Sequence, residues 1–350
     1  MPAKKLSTAQ LRIGIAGWTY APWRGVFYPK GLAHHRELHH ASRMINSVEI
    51  NGTFYSLQRP SSFAAWYDAT PADFLFAVKG SRFITHILRL KNAETALPNF
   101  LASGLLGLKE KLGPMLWQLP PNFSFDAEKL DRFFSSLPKD TAAAAQMAQK
   151  HDQRLEGRAL TETDANRPLR HAIEIRHESF QNAEFIDLLR KHNVALVFAD
   201  TAGRWPFGED VTADFVYLRL HGDEELYTSG YTPEALDRWA ARIAKWKTGG
   251  EPADAVHWSN KPAPKSAARD VFVYFDNDVK VKAPFDAMAL AHRLGETAQG
   301  ESQRAQSAPT SPRLTKKALA ERVRSHWPAT KPKPKAKNAG RRPKKSPKAP

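Results

Sequence analysis

Residues 172–177, AIEIRH, set two charged side chains, Glu174 and Arg176, on either side of Ile175, with Ile173 preceding them. In an extended chain residues two apart point the same way, so the isoleucines face one layer and the charged pair the other. SVEIN at 47–51 repeats the pattern, with Glu49 and Asn51 opposed to Val48 and Ile50. YLRLHG at 217–222 repeats it again, with Arg219 and His221 opposed to Leu218 and Leu220. Working outward, short apolar, β-branched or aromatic runs predict eight strands: 12–16, 46–51, 74–79, 115–119, 171–176, 195–200, 215–221 and 271–277. Helical spacing occupies 38–45, 62–67, 96–112, 126–137, 183–193, 233–247 and 284–294, and the last two open on Pro, whose missing N–H costs nothing in a first turn.

Eight strands alternating with helices predict a TIM-type (β/α)8 barrel over residues 12–295, after an extension at 1–11. A doubly wound open sheet is the alternative, but Gly14 and Gly17 do not supply the GxGxxG spacing expected after its first strand. TAGRWPFGEDVTAD at 201–214 is too short and too rich in Gly and Pro for a crossover helix, so the sixth repeat is read as degenerate. Residues 138–170 form a polar, Ala-rich insertion, and 248–270 a Gly/Pro/Lys loop.

The chain has 350 residues, 42% of them hydrophobic, enough to bury a large core. It contains no Cys, which removes disulfides, thiolate metal sites and thiol nucleophiles. Its +16 charge is unevenly placed. Residues 300–350 hold 15 Lys or Arg against Glu301 and Glu321, which leaves the barrel nearly balanced. The segment 296–350, with its Pro-Lys pairs, is expected to be a disordered basic tail in which Leu314, Ala318, Leu319, Val323 and Trp327 line one side of a short helix. No apolar run approaches the ~18 residues of a membrane span, and MPAKKLSTAQ lacks an export signal, so a cytoplasmic protein without a membrane partner is expected. Oligomeric state is not legible.

In a barrel of this class chemistry gathers at the carboxyl ends of the strands. The groups there are Glu49 and Asn51, Lys79, Gln118, Glu174 and Arg176 with His177 beyond, Asp200, Arg219 and His221, and Asn277 and Asp278. Polar strand ends are ordinary where they meet solvent, but repeated inward Glu, Arg and His within a barrel are costly unless paired, so a polar pocket is expected. The first loop adds Trp18, Tyr20, Trp23, Phe27 and Tyr28; Trp23 and Phe27 are read as packing, while Trp18 and Tyr20 are equally suited to packing or to stacking on a ligand. Thr53 and Tyr55, His86 and Arg89, and Tyr227 and Tyr231 stand in later loops with similar standing.

Two metal-like patterns are weighed. HHRELHH, with His34, His35, His39 and His40, leads into the first helix and is read as solvated surface. Glu49, Glu174, Asp200 and His221 resemble a divalent-ion set. Lys79, Arg176 and Arg219 would share that mouth, where one like-charge contact at ~4 Å costs on the order of 4 kcal/mol at an effective dielectric near 20. No cofactor is therefore expected, and a divalent metal is the lesser alternative.

Seven segments in order, GWTYAPWRGVFYP, VEINGTFYSL, FAVKGSRFITHILRL, LGPMLWQLPPNF, RHAIEIRHESF, TADFVYLRLHG and VYFDND, followed by Ala283 and Pro284, resemble the domain of unknown function 72 (YecE-like) family over nearly all of 12–295. The resemblance implies a TIM-type barrel with a polar mouth and names no reaction; the histidines at 34–40 and the basic tail are outside the family pattern. From the residues, the expected activity is a hydrolase, isomerase or lyase acting by general acid–base chemistry on a small or polymeric anionic, phosphate- or sugar-bearing substrate. Lys79, Arg176 and Arg219 would bind the anion, Glu174 or Glu49 would act as base, His221 as acid, and Gln118 and Asn277 would orient the substrate; Asp200 is a further catalytic candidate. The alternatives are a metal-dependent phosphodiester hydrolase or sugar isomerase-like barrel, and a non-catalytic nucleic-acid-associated protein. The tail's cations suit sequence-independent, salt-sensitive binding of DNA or RNA. Deleting residues 300–350 is expected to abolish retention on immobilised DNA or RNA at low salt, and retention by the truncated chain would refute that assignment.

Overall fold

The structure, a computed structural model, describes residues 9–296. Strands β1 Leu11–Ala16, β2 Ser47–Ile50, β3 Leu75–Lys79, β4 Leu112–Gln118, β5 His171–Glu174, β6 Val194–Asp200, β7 Phe215–Leu220 and β8 Asp270–Phe275 pair in order and in parallel, and β8 returns to β1 to close the barrel. The fold is the expected (β/α)8 barrel. The tail from residue 297 onward, its candidate helix and residues 1–8 lie outside the described residues.

Two apolar layers follow from strand alternation. Outward residues such as Ile13, Val48, Val78, Ile173 and Leu218 pack under the helices. Inside, large residues face small ones: Phe215, Tyr217, Phe272 and Tyr274 on β7 and β8 share the interior with Ala77, Ala172 and Ala195. Each fully buried aromatic side chain contributes about 1.5–3 kcal/mol, and the size contrast lets a narrow barrel fill without voids. Gly14 is required for closure, because a Cβ there would stand 1.9 Å from the carbonyl oxygen of Ser47 on β2.

Helices α1 Glu37–Met44, α2 Gly52–Tyr55, α3 Pro60–Ala69, α4 Ala93–Ala102, α5 Ala127–Ser136, α6 Thr141–Ala148, α7 Ala183–His192, α8 Pro233–Lys247 and α9 Ala283–Arg293 connect and cover the strands. The expected helix over 96–112 is broken: α4 ends at Ala102, Gly104 adopts φ 119°, and a 3₁₀ segment runs over Leu105–Lys111. A Cβ on Gly104 would meet the Pro60 backbone at 2.6 Å, so close approach to α3 requires the glycine. The 138–170 insertion contains α6, unanticipated, whose start is set by Asp140 Oδ1 accepting from Ala143 N at 2.8 Å. Among the described residues no helix is long and apolar enough to cross a membrane.

The sixth repeat has no helix between β6 and β7, as expected. The 248–270 loop takes its place. Glu209, fully buried, accepts from Arg242 on α8 and from Val256 N, while Asp210 accepts from Trp258 N at 2.7 Å and Ser259 N at 3.2 Å. Two buried carboxylates thus satisfy loop amides that a helix would have bonded internally.

Candidate functional site

Arg219 leaves β7 into the barrel with no solvent exposure and is bonded on every side. Its Nε and Nη2 donate to Glu49 of β2 at 3.1 and 2.9 Å, its Nη1 donates to Glu174 of β5 at 2.6 Å, and its Nη2 also reaches Asp276 beyond β8 at 2.8 Å. Further donors complete the carboxylates. Tyr217 OH donates to Glu49 at 2.7 Å, and Gln118 and Arg176 donate to Glu174 at 2.8 and 2.9 Å. Burial alone would raise the Glu174 carboxyl, but Arg219, then Arg176 and His221, hold it well below the usual range. Asp276 is held low in the same way, by Arg219 against burial. His221 lies at the edge of this cluster, Nδ1 3.2 Å from Asp276 and out of hydrogen-bond alignment, and Nε2 3.4 Å from Arg219 Nη1.

Lys79, at the end of β3, differs. Its side chain is buried and its Nζ sits 4.5 Å from the centre of the Phe54 ring, with no hydrogen bond or ion pair among the described residues. Burial, then the field of Arg219, pulls its ammonium down to about 8, while Glu49, Asp276 and Glu174 oppose the shift. Asp278 is the acidic counterpart: burial and the adjacent Asp276 charge push it up to about 7. His86, in a π-helical turn over Phe83–Ile87, packs edge-on to Phe54 at 5.1 Å and is pulled down to about 4 by burial and by Lys79. Arg176 lies 3.9 Å over the Trp205 ring and donates Nη2 to Tyr227 OH at 3.3 Å. Tyr55 stands open on the rim, 69% exposed, close enough to feel the charges of Asp276 and Asp278.

Other sequence candidates have different neighbours. Trp18 packs edge-on to Trp66 of α3 at 5.3 Å, and Tyr20 donates its hydroxyl to Ala16 O at 2.5 Å above Gly17, where a Cβ would collide with it. Asn51 begins α2 with a buried, unpartnered Oδ1. Thr53 Oγ1 lies within donating distance of Ile50 O and Lys79 O, stapling β2 to β3. Arg89 is tied to Asn122, and His177 caps the turn at Ser179. Asp200 accepts from Tyr231 OH at 3.0 Å, and Asn277 donates to Asp286 and to Ser229 O, away from Arg219. Of the four residues weighed as a metal set, Glu49 and Glu174 flank Arg219 whereas Asp200 is bonded to Tyr231. Among the described residues no three His, Asp or Glu are grouped so as to hold a metal ion. In the HHRELHH stretch, His34 approaches Glu37 at 3.5 Å and His40 packs on Phe27, on the outer layer. Asp276 and Tyr217 were not among the candidates, although the inward parity of Phe272, Tyr274 and Asp276, and of Tyr217 and Arg219, carries both.

A family model described as "Protein of unknown function DUF72" matches residues 12–312. The chain belongs to the DUF72 family. It is 24% identical over 253 residues to the UPF0759 protein YecE of Escherichia coli K12, covering 70% of this chain and 85% of that one. A DUF72 family crystal structure from Thermotoga maritima superposes with a TM-score of 0.61 at 22% identity, covering 82% of this chain and all of the other. One from Enterococcus faecalis superposes at 0.58 with 16% identity, covering 84% and 100%. These DUF72 likenesses establish the barrel fold.

Removing Arg219 leaves Glu49 and Asp276 without their guanidinium and Glu174 with Arg176 alone, so Arg219→Met is expected to lose about 3–5 kcal/mol in urea unfolding or to fail to fold; an unchanged midpoint would contradict the hub role. Asp278 titrates higher folded than unfolded, so the folded state favours its protonated form and loses stability as pH rises toward and through about 7. Asp278→Asn is therefore expected to gain stability over the parent between pH 5 and 8.5, by on the order of 2 kcal/mol, measured by denaturant melts at both values.

Proposed function

We propose that this DUF72 barrel is an enzyme that binds a small anionic substrate, phosphate- or sugar-bearing, at its mouth and works by general acid–base chemistry. The observation that carries this reading is the separation of committed from uncommitted charge. Arg219 draws Glu49, Glu174 and Asp276 into one bonded cluster through short contacts, whereas Lys79 is in hydrogen-bonding or ion-pairing distance of no carboxylate among the described residues. Arg176 also retains capacity, since its Nε and Nη2 are used and its Nη1 donates to no described residue. Two cations with spare donors above a closed ion cluster suit an anion.

The geometry favours Asp278 over Glu49 and Glu174 as proton acceptor. Both glutamates are fully buried and occupied by Arg219, while Asp278, pushed up to about 7, exchanges a proton near neutrality. Asp278 as carboxylate and Lys79 as ammonium coexist between about 7 and 8, which predicts a narrow bell for any turnover. His221 is the second proton-bearing group within reach of the cluster. The basic tail supports a separate activity, loose binding of DNA or RNA by residues 300–350, independent of the mouth.

Titrating the full chain with inorganic phosphate at pH 7, followed by thermal shift, tests the reading. Phosphate is expected to raise the melting temperature of the parent, and Lys79→Met to weaken that response by at least about tenfold in half-saturating concentration. The response of the parent is expected to fall above pH 8 as the ammonium loses its proton. Equal phosphate protection of parent and variant would exclude Lys79 from anion binding.

A further inference from the structure

Lys79 is placed as a reactive amine as well as a charge. Its backbone is immobilised, the carbonyl oxygen lying 2.7 Å from Thr53 Oγ1 at the junction of β2 and β3. Its side chain is 8% exposed and ends against the Phe54 ring. The carboxylates whose charge reaches it, Glu49, Asp276 and Glu174, are each turned to Arg219, so the fold keeps a largely buried ammonium with no ion-pair partner among the described residues, beside a second fixed cation. A lysine present only to balance charge is found on a carboxylate; one desolvated next to another cation has a lone pair available for attack on a carbonyl.

We propose that Lys79 condenses with an aldehyde or ketone group of the substrate to form an imine, so that the substrate class is a small carbonyl compound that also carries a carboxylate or phosphate. This deepens the reading above and rests on it for the anionic group, which Arg176 Nη1 holds while Lys79 meets the carbonyl. The neutral amine's lone pair forms the C–N bond as the C=O π pair moves to oxygen. That oxygen takes a proton as the nitrogen loses one, giving a carbinolamine. A second proton is delivered to the hydroxyl, which leaves as water while the nitrogen lone pair closes the C=N bond. The product is a protonated imine and one water, with no change in oxidation state. Asp278, half-buried two residues beyond the Asp276 that Arg219 holds and without a salt-bridge partner among the described residues, is the group that carries protons in this exchange. The cationic imine replaces the ammonium charge, so the balance with Arg219, Glu49, Glu174 and Asp276 is preserved through the condensation.

Reductive trapping tests this. The full-length protein is incubated at pH 7 with glyoxylate or with pyruvate plus sodium cyanoborohydride, and the adducts are mapped by peptide mass spectrometry. The expected result is a stable secondary amine at Lys79, formed with at least one probe about tenfold or more faster than at an exposed residue such as Lys109, and slowed by added phosphate. In Lys79→Arg the adducts elsewhere are expected to be unchanged. Labelling of Lys79 by neither probe, or only at the rate of exposed lysines, overturns the imine. If phosphate still stabilises the parent in that case, anion binding at the mouth stands without it; if phosphate has no effect, both readings fall.

Discussion

One buried guanidinium organises this barrel. Arg219 reaches from β7 across the interior to carboxylates contributed by β2, β5 and the residue after β8, and each bond exists only because the others offset the cost of taking four charges out of water. The cluster also constrains register. A one-residue slip of β7 would turn Arg219 and Tyr217 into the helix layer, stripping Glu49 and Asp276 of their guanidinium and leaving Glu174 only Arg176. Strand order, alternation and charge are therefore one constraint seen at three scales.

That cluster sets the character of the groups around it. Glu174 and Asp276 are held as carboxylates, and Arg219 is pinned as a cation by Glu49, Asp276 and Glu174 despite its burial. Lys79 and Asp278 share the same mouth but have no such partners among the described residues, so burial dominates and brings both toward neutrality from opposite directions. A fixed electrostatic floor and two titratable groups above it form a division of labour suited to moving protons without unfolding the site.

The strands were legible because parity alone assigns their faces: Ile173 and Ile175 against Glu174 and Arg176, Leu218 and Leu220 against Arg219 and His221. The degenerate sixth repeat was legible from Gly and Pro, but its substitute was not, since Glu209 and Asp210 hold a loop almost fifty residues further on. Asp276 was overlooked in a run of three polar residues, where strand end and loop start look alike and Asn277 and Asp278 compete for notice. Asn277 instead bonds Asp286 of α9, and Asp200 is answered by Tyr231. The 96–112 helix failed at Gly104 because the need for a left-handed residue there comes from Pro60 on another helix.

Taken alone, the amino-acid order determined the number of strands, the inward faces of β2, β5 and β7, the family, and the separation of a basic tail from a nearly neutral barrel. These depend on local periodicity and composition, which a chain displays without folding. Tertiary structure decided which charges cancel and which remain, placing Arg219 on Glu49 and Glu174 and leaving Lys79 against Phe54. Pairing and desolvation are properties of distances between strands up to 170 residues apart, and protonation near neutrality follows from them.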